Sequence, residues 1–227
     1  MSALIEPNPC HRKRLGQAPL LATCIAAQLI IASPATAGDF DHYGIFGETG
    51  KEFNSLRGLP KWPTMLERYE SEQQQLQQCR LSKANNCGYA PWQRLLSRLR
   101  GQEKAVQLRE INQYVNNHPY VTDPMNWGSD DHWATPEEFF NKKAGDCEDF
   151  AIAKFLGLRA LGFNNDDLRI VAVEDRKRNV NHTVTLVRLD NQIMLLDNEM
   201  DSVVPAHSVY HYKPVFAANE DAWWLFK

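Results

Sequence analysis

The stretch of residues 150–161 constrains the fold more than any other part of the sequence. It reads FAIAKFLGLRAL, only Lys154 and Arg159 in it are charged, and Gly162 follows directly. A helix that is apolar on nearly every side is stable only when other elements surround it. The sequence therefore predicts one central, buried helix that ends at Gly162, with the rest of a domain packed around it.

The residues before this helix predict further helices. Residues 62–80 and 91–117 are rich in Gln, Glu, Arg and Leu. Apolar residues recur in the second stretch at roughly helical spacing, namely Leu95, Leu96, Leu99, Val106, Ile111 and Val115. Gly101 is expected to break or bend this stretch, since glycine is unfavourable inside a helix.

A further helix start lies just before the central helix. Residues 135–138 (TPEE) supply a capping threonine, a proline at the first helical position and two acids in the first turn. We expect a short helix that ends near Gly145, and the central helix to begin at Asp146 or Cys147. Residues 118–134, with two prolines, two tryptophans and a glycine, are predicted to form an ordered loop.

Strands are predicted only after the central helix. Residues 168–174 (LRIVAVE), 182–189 (HTVTLVRL) and 192–197 (QIMLLD) are rich in Val, Ile and Leu and are separated by polar turns. An edge strand is expected near residues 223–226. Helices followed by strands predict a single α+β domain, in which the helices, with the buried one at the centre, pack against an antiparallel sheet.

The first 37 residues predict a secretory signal peptide. Basic residues at 12–14 (RKR) precede an apolar stretch from about residue 20 to residue 32, and a small-residue site (ATA) occupies residues 35–37. A disordered tail or a membrane anchor is the alternative, although the apolar part is too short to span a bilayer. Residues 38–227 would then form the exported domain.

The charge of the remaining chain argues against two classes of partner. Removing residues 1–37 leaves 22 basic and 27 acidic residues, a net charge of −5. A basic stripe and a second apolar stretch of about 20 residues are both missing from the sequence. Nucleic-acid binding and a membrane-spanning segment are therefore not expected.

Three cysteines would remain after export. Cys79 and Cys87 lie eight residues apart, and in an oxidising compartment we expect them to form a disulfide, the alternative being two unpaired surface thiols. Cys147 is then the odd cysteine, and it is either hidden or reactive. Its predicted place in the first turn of a helix favours the thiolate, because the positive end of the helix dipole lies there.

A predicted hairpin brings two further groups together. Residues 190–191 (DN) suit a two-residue turn that pairs Leu189 with Gln192. In that register His182 and Asp197 share a sheet face as diagonal neighbours, about 7–8 Å apart, within reach of a side-chain hydrogen bond. A slip of one residue would place them on opposite faces.

Cys147, His182 and Asp197 would form a nucleophile, a base and a group that orients the base. The alternatives are a strand histidine that faces solvent and an aspartate in a turn after a strand. The competing histidines are His42, His118, His132, His207 and His211. A structural zinc site is excluded, because neither a second cysteine nor a histidine pair has the spacing that zinc needs.

The acids around Cys147 require their own explanation, since Asp146, Glu148 and Asp149 would raise the pKa of a neighbouring thiol. In one interpretation Asp146 and Asp149 cap the helix and Glu148 lies in solvent. In the other, the acids bind a hard cation such as calcium, whose shell Asp130 and Asp131 or loop carbonyls complete. The residues alone leave both interpretations open.

Four segments resemble the bacterial transglutaminase-like cysteine peptidases. They are HWATPEEFFNKKAGDCEDFAIAKFLGLRALG, NHTVTLV, MLLDNEMDSVVPA and YKPVFAANEDAWWLF, and the resemblance covers about residues 56–226. It implies a papain-like, transglutaminase-like α+β fold and carries the catalytic roles onto Cys147, His182 and Asp197. It also implies a calcium requirement, carried by Asp146, Glu148 and Asp149.

The resemblance is strongest to the periplasmic members, and it implies a substrate and a regulator. The substrate would be a large surface adhesin, cut near its N-terminus so that the adhesin is released and biofilm disperses. The regulator would be an inner-membrane receptor that senses cyclic di-GMP and sequesters the protease. Two alternatives remain: a transglutaminase or amidase on the same fold, and a non-catalytic, calcium-dependent binding module.

Overall fold

The computed structural model describes Phe40, residues 44–82 and residues 88–227. Within them lie six α-helices: α1 (Lys61–Leu81), α2 (Ala90–Leu99), α3 (Lys104–Asn116), α4 (Asp123–Asn126), α5 (Pro136–Lys142) and α6 (Cys147–Ala160). The strands are β1 (Lys51–Phe53), β2 (Leu168–Asp175), β3 (Val180–Leu189), β4 (Gln192–Leu196), β5 (Val204–Pro205), β6 (Tyr212–Ala218) and β7 (Trp223–Leu225). The helices therefore precede most of the strands, as expected for an α+β fold.

The strands form one antiparallel sheet in the order β1-β7-β6-β2-β3-β4-β5. The predicted strands in residues 168–174, 182–189 and 192–197 correspond to β2, β3 and β4, which confirms the α+β prediction. The strand expected at the edge near residue 223 is present as β7, but it lies between β1 and β6, so its predicted edge position is wrong. The pairing partner β1 comes from far away in the sequence, which local patterns do not reveal.

Helix α6 is the buried centre of the fold, as its apolar sequence predicts. Its residues from Asp149 to Leu158 are all buried, and it packs against β2 and β3 on one side and against α3 and α5 on others. Gly157 allows α2 to come close, because a Cβ at that position would lie 2.6 Å from the ring of Trp92. The predicted helix end is confirmed, since Gly162 follows with a φ of +92°.

The predicted breaks between the other helices are confirmed with small shifts. Helices α2 and α3 are separated around Gly101, whose φ of +75° is left-handed. Helix α5 begins with the expected capping threonine, and the structure adds a capping box, in which Thr135 and Glu138 bond reciprocally to each other's backbone. It ends earlier than expected, because Lys143 takes the left-handed cap position with a φ of 61° before Gly145 is reached. The loop of residues 118–134 contains the short helix α4.

The sheet is covered on both faces. Helices α1–α3, α5 and α6 share a large apolar core with one face, to which Val187 of β3 belongs. On the other face Val184 and Leu186 of β3 pack in a second cluster with Phe40 and Ile45. Strand β3 thus points alternate side chains into two different cores, and His182 shares the second face with Val184.

Two predictions concern segments that the structure describes only in part or not at all. The signal peptide of residues 1–37 lies outside the described residues, so it stays a prediction. Cys79 is disulfide-bonded, but Cys87 lies outside the described residues, so their pairing stays a prediction.

None of the described helices is both long enough and apolar enough to cross a membrane.

Candidate active site

Cys147 is the first residue of α6, as predicted, and its thiol is partly buried against β3. The Sγ–H group donates a hydrogen bond to Oε2 of Glu148 over 3.2 Å, and Sγ lies 3.8 Å from Oγ1 of Thr183. Burial, followed by the negative charge of Glu148, raises the pKa of this thiol above its ordinary value. With its present neighbours alone, the thiol therefore stays protonated.

The hairpin of β3 and β4 has the predicted register. Leu189 pairs with Gln192 across the two-residue turn, and Thr185 pairs with Leu196 farther along. His182 and Asp197 consequently meet, with 2.8 Å between Nε2 and Oδ1, and only 4% and 1% of these residues is exposed. Because an ionised carboxylate only accepts, Nε2 carries a proton in this bond, which leaves Nδ1 as the basic nitrogen of a neutral ring.

The carboxylate of Asp197 is ionised in spite of its burial. Burial acts to raise its pKa, but the hydrogen bond and charge of His182 and the backbone N–H of Glu199 hold that pKa below its usual value. Asp197 is therefore suited to accept from His182 and to stabilise an imidazolium.

The structure brings Cys147 to the strand that carries His182, without joining the two side chains. Within the described residues the thiol has no hydrogen bond to His182, and its contact on β3 is Thr183, the next residue. Helix α6 is held on this strand by Oγ1 of Thr185, which donates to the carbonyl of Ala151 over 2.8 Å.

The competing histidines have other surroundings. Ring Nδ1 of His118 lies against backbone carbonyls of α3, and His132 lies 3.3 Å from the carboxylate of Glu138. Nε2 of His211 is 4.0 Å from Asp175 at the end of β2, which is too long for a hydrogen bond. His207 is exposed, and His42 lies outside the described residues.

Three carboxylates converge beside the thiol. Oxygen atoms of Asp123, Asp146 and Glu148 all lie within 4.8 Å of one another, and Oδ1 of both aspartates is buried without a hydrogen-bond partner. Asp146 occupies the N-cap position of α6, yet its side chain makes no capping hydrogen bond. The interpretation that Asp146 caps the helix therefore has no support in this geometry.

Burial opposes the ionisation of these carboxylates and of the neighbouring Asp149. Burial, then the charge of Glu148, raises the pKa of Asp146 to about 8. Burial also raises the pKa of Asp149 to about 8, although Oδ1 of Asp149 accepts a 2.7 Å hydrogen bond from the backbone of Ala134. Oδ2 of Asp149 is buried without a partner. Several acidic oxygens in one small volume suit a hard cation.

Asp123 is the member of this cluster that the sequence pattern misses. It begins α4 in the loop before α5, where an Asp-Pro pair is a common helix start and gives no sign of metal binding. A backbone pairing brings it near, since Tyr120 bridges Gly145 and the N–H of Val121 donates to the Gly145 carbonyl over 2.8 Å. Gly145 has to be glycine, because a Cβ there would lie 2.5 Å from Oδ2 of Asp149.

The acids expected to complete a cation shell lie elsewhere. Asp131 forms an exposed ion pair with Lys61, and the group of converging carboxylates in the described part of the chain includes neither Asp130 nor Asp131. Asp149 is also outside that group of three, although it lies one helical turn from Asp146. Its assignment as a cation ligand stays a prediction.

Comparisons with known proteins agree with this site. The family model of the bacterial transglutaminase-like cysteine proteinases (BTLCP) matches residues 72–226. Legionella pneumophila LapG is 34% identical over 60% of this chain and 76% of that chain, with a TM-score of 0.55. A calcium-bound structure of Legionella pneumophila LapG is 30% identical over 69% of this chain and 86% of that chain, with a TM-score of 0.57. A comparison with curated proteins finds no significant match.

The matched range contains Cys147, His182 and Asp197 together with all three converging carboxylates. It spans more than half of the chain and includes every described α-helix and strand except β1 and the first half of α1. The expected fold class and enzyme class are therefore confirmed. The chain belongs to the bacterial transglutaminase-like cysteine proteinases and is a cysteine peptidase.

Proposed function

We propose that this protein is a calcium-dependent, periplasmic cysteine endopeptidase that cleaves a large surface adhesin near its N-terminus. The observation that carries the proposal is the buried His182–Asp197 pair, 2.8 Å apart, on the strand against which the Cys147 thiol packs. A binding module would have no need of a buried, ionised carboxylate that orients a histidine. In this proposal Cys147 is the nucleophile, His182 the base and Asp197 the residue that orients the base.

The chemistry follows from the two ring nitrogens of His182. Asp197 holds the Nε2–H, so Nδ1 accepts the proton of the Cys147 thiol and the thiolate attacks the carbonyl carbon of the scissile peptide bond. The imidazolium, stabilised by Asp197, then gives its proton to the departing amine as the C–N bond breaks. Water, deprotonated by His182, hydrolyses the thioester and restores the thiol.

The present neighbours of the thiol oppose the first of these steps. The Cys147 Sγ–H is bonded to Glu148, and both burial and that acid raise the pKa of the thiol. Asp123, Asp146 and Glu148 are the residues that would hold a calcium ion, with Asp149 as a further carboxylate. When bound, the ion supplies the positive charge that these buried acids lack. The calcium-bound state of the Legionella pneumophila LapG structure supports this choice of ion.

The location and partners belong to the same proposal. The expected signal peptide would place the enzyme in the periplasm, where a large adhesin passes on its way to the cell surface. Cleavage would release the adhesin and promote the dispersal of biofilm. An inner-membrane receptor that senses cyclic di-GMP would sequester the protease until release is needed. These assignments follow from the sequence resemblance to the periplasmic members of the family.

The test is cleavage of a purified adhesin fragment. Exported protein, wild type and Cys147→Ala, is incubated with the N-terminal segment of a large adhesin from the same genome, with calcium or with excess chelator. Mass spectrometry is expected to find one defined cut, absent in Cys147→Ala and suppressed by chelator.

Other outcomes separate the parts of the proposal. A cut that ignores the chelator would keep the peptidase and remove the calcium requirement. A product joined to an added amine instead of water would identify a transglutaminase, and release of ammonia without chain cleavage would identify an amidase. A folded wild-type protein that cuts nothing, and binds the fragment only with calcium, would identify a binding module.

A further inference from the structure

Both oxygens of the Asp197 carboxylate are occupied by hydrogen bonds. Oδ1 accepts from Nε2 of His182 over 2.8 Å and from the backbone N–H of Glu199 over 2.9 Å. Oδ2 accepts from the hydroxyl of Tyr212 over 2.7 Å. Tyr212 is 5% exposed, so this third bond is shielded from water as the other two are. The proposed catalytic mechanism does not use the tyrosine.

Tyr212 reaches Asp197 from another part of the sheet. It is the first residue of β6 and pairs with Asp175 of β2, whereas Asp197 directly follows β4. In the strand order, β2 and β3 lie between the strands that carry these two residues. The tyrosine side chain therefore spans the sheet face on which His182 lies, and the two ring centroids are 5.8 Å apart.

The ring of Tyr212 is itself held in place. Phe46 packs edge-on against it, with 5.7 Å between the centroids, and the ring of His211 lies 4.6 Å from it on another side. Burial and the charge of Asp197 raise the pKa of Tyr212 above its ordinary value, so the hydroxyl keeps its proton and remains a donor. A fixed ring with a permanent donor is suited to hold a carboxylate in one orientation.

We propose that Tyr212 is a positioning residue, whose hydroxyl fixes the rotation of the Asp197 carboxylate and thereby the direction in which His182 presents Nδ1 to Cys147. This inference rests on the proposed peptidase mechanism. Without the hydroxyl, Oδ2 would be buried and unpaired, and the carboxylate could rotate about its Cβ–Cγ bond. A loss of rate of about 10- to 100-fold is expected, which corresponds to about 1.4–2.7 kcal/mol and is comparable to the contribution of a hydrogen bond to a charged group.

Other ionisable groups lie around Asp197 and Tyr212 and would stay unchanged. They come from each neighbouring element: Lys154 from α6, Asp175 and Arg178 from the β2–β3 hairpin, Glu199 after β4, and His211 before β6. Arg178 forms ion pairs with Asp175 over 2.6 Å and with Glu199 over 2.7 Å, and the substitution leaves both pairs in place. Removing one hydroxyl from Tyr212 therefore changes the surroundings of Asp197 without breaking an ion pair.

The test compares Tyr212→Phe with Tyr210→Phe in the full exported protein. Tyr210 lies two residues away and is 90% exposed, so it is a matched control. Tyr212→Phe is expected to lower kcat about 10- to 100-fold and to change KM less than about twofold. The pKa of Asp197, followed by carbon NMR of its carboxyl group, is expected to rise by about one unit, since the lost bond stabilised the charged form. Tyr210→Phe should change neither quantity.

Three results would overturn the proposal. The first is a Tyr212→Phe protein with the kcat and the Asp197 pKa of the wild type. The second is a loss of activity that follows a loss of folded protein, in the melting curve or in the fraction folded, because this would show a structural role. The third is a rise in KM with an unchanged Asp197 pKa. If the wild type itself cuts no peptide, the proposed function fails, while the NMR titration still decides whether Tyr212 controls Asp197.

Discussion

The two sides of Cys147 differ in how completely the chain satisfies its own polar groups. On one side, the carboxylate of Asp197 has a hydrogen-bond donor at each oxygen, and its pKa is held low in spite of burial. On the other side, Asp123, Asp146 and Glu148 crowd together, and burial raises their pKa values. The His182–Asp197 pair, the base side, is satisfied by groups of the chain itself. The cluster of Asp123, Asp146 and Glu148, the acid side, leaves buried carboxylate oxygens unpaired, which the proposed calcium ion would bind.

The largest expected effect comes from breaking the base side. His182→Ala should lower kcat/KM by about 10³- to 10⁴-fold, because His182 is the base that takes the proton of the thiol in the proposed mechanism. Added calcium should not restore the rate, since the defect lies on the side that needs no ion. The rate of adhesin-fragment cleavage measures this, with exposed His207→Ala as the control. Recovery of the rate at high calcium would contradict the division between the two sides.

Removing calcium should lower the stability of the folded protein, through the acid side. At a calcium concentration 100 times its dissociation constant, binding adds about 2.7 kcal/mol to the free energy of unfolding. For a domain of this size, excess chelator should therefore lower Tm by roughly 5–10 °C. Thermal melts with and without chelator measure the shift. An unchanged Tm would mean that the buried acids hold no calcium in the folded protein.

Asp123→Asn should weaken calcium binding without abolishing the activity. The substitution keeps an oxygen ligand and removes a charge, so half-maximal activity should need about tenfold more calcium, with a near-normal rate at saturation. Asp131→Asn is the matched control, since Asp131 was one alternative for completing the cation shell but instead pairs with Lys61 at the surface. A calcium titration of activity, with calorimetry, measures both. An equal shift in the two variants would remove Asp123 from the site.

Lys154→Met should give the smallest change and should depend on pH. Lys154 is 1% exposed, and burial lowers its pKa from 10.5 to about 7, with Asp197 acting in the opposite direction. Between these pH values the unfolded chain holds a proton that the folded protein lacks, so the free energy of unfolding rises with pH across this window. Methionine removes this dependence, and Tm should rise by a few degrees at pH 7 and not at pH 10.5. Thermal melts across this pH range measure the difference. If the Tm of the wild type and the Tm of Lys154→Met changed with pH in parallel, this prediction would be wrong.

The base side could be predicted from the sequence because its geometry is local. A two-residue turn sets the pairing of Leu189 with Gln192, and the alternation of side chains then places His182 and Asp197 on one face. The central helix could be predicted for the same reason, since its apolar pattern lies within one continuous segment.

The acid side and Tyr212 depend on contacts between distant segments. Asp123 is brought to the site by a backbone bridge between Tyr120 and Gly145. In the sequence, Asp123 matches the pattern of a helix start, which does not indicate cation binding. Tyr212 lies in a segment whose next residues include Pro214, so the segment lacks the usual strand pattern, although it forms β6. Sequence patterns that describe one element at a time do not report which elements meet.

The β3–β4 hairpin also sets how the chain can change in length. His182 and Asp197 lie at the open end of this hairpin, far from the turn, and their pairing depends only on equal numbers of residues in the two arms. Lengthening both arms by one residue each would leave the pair intact and move the turn outward by one step. A single insertion in one arm would instead rotate Asp197 to the opposite face, away from His182. We therefore expect this chain to tolerate insertions at the hairpin tip in steps of two residues, unless a bulge or a different turn absorbs the odd residue.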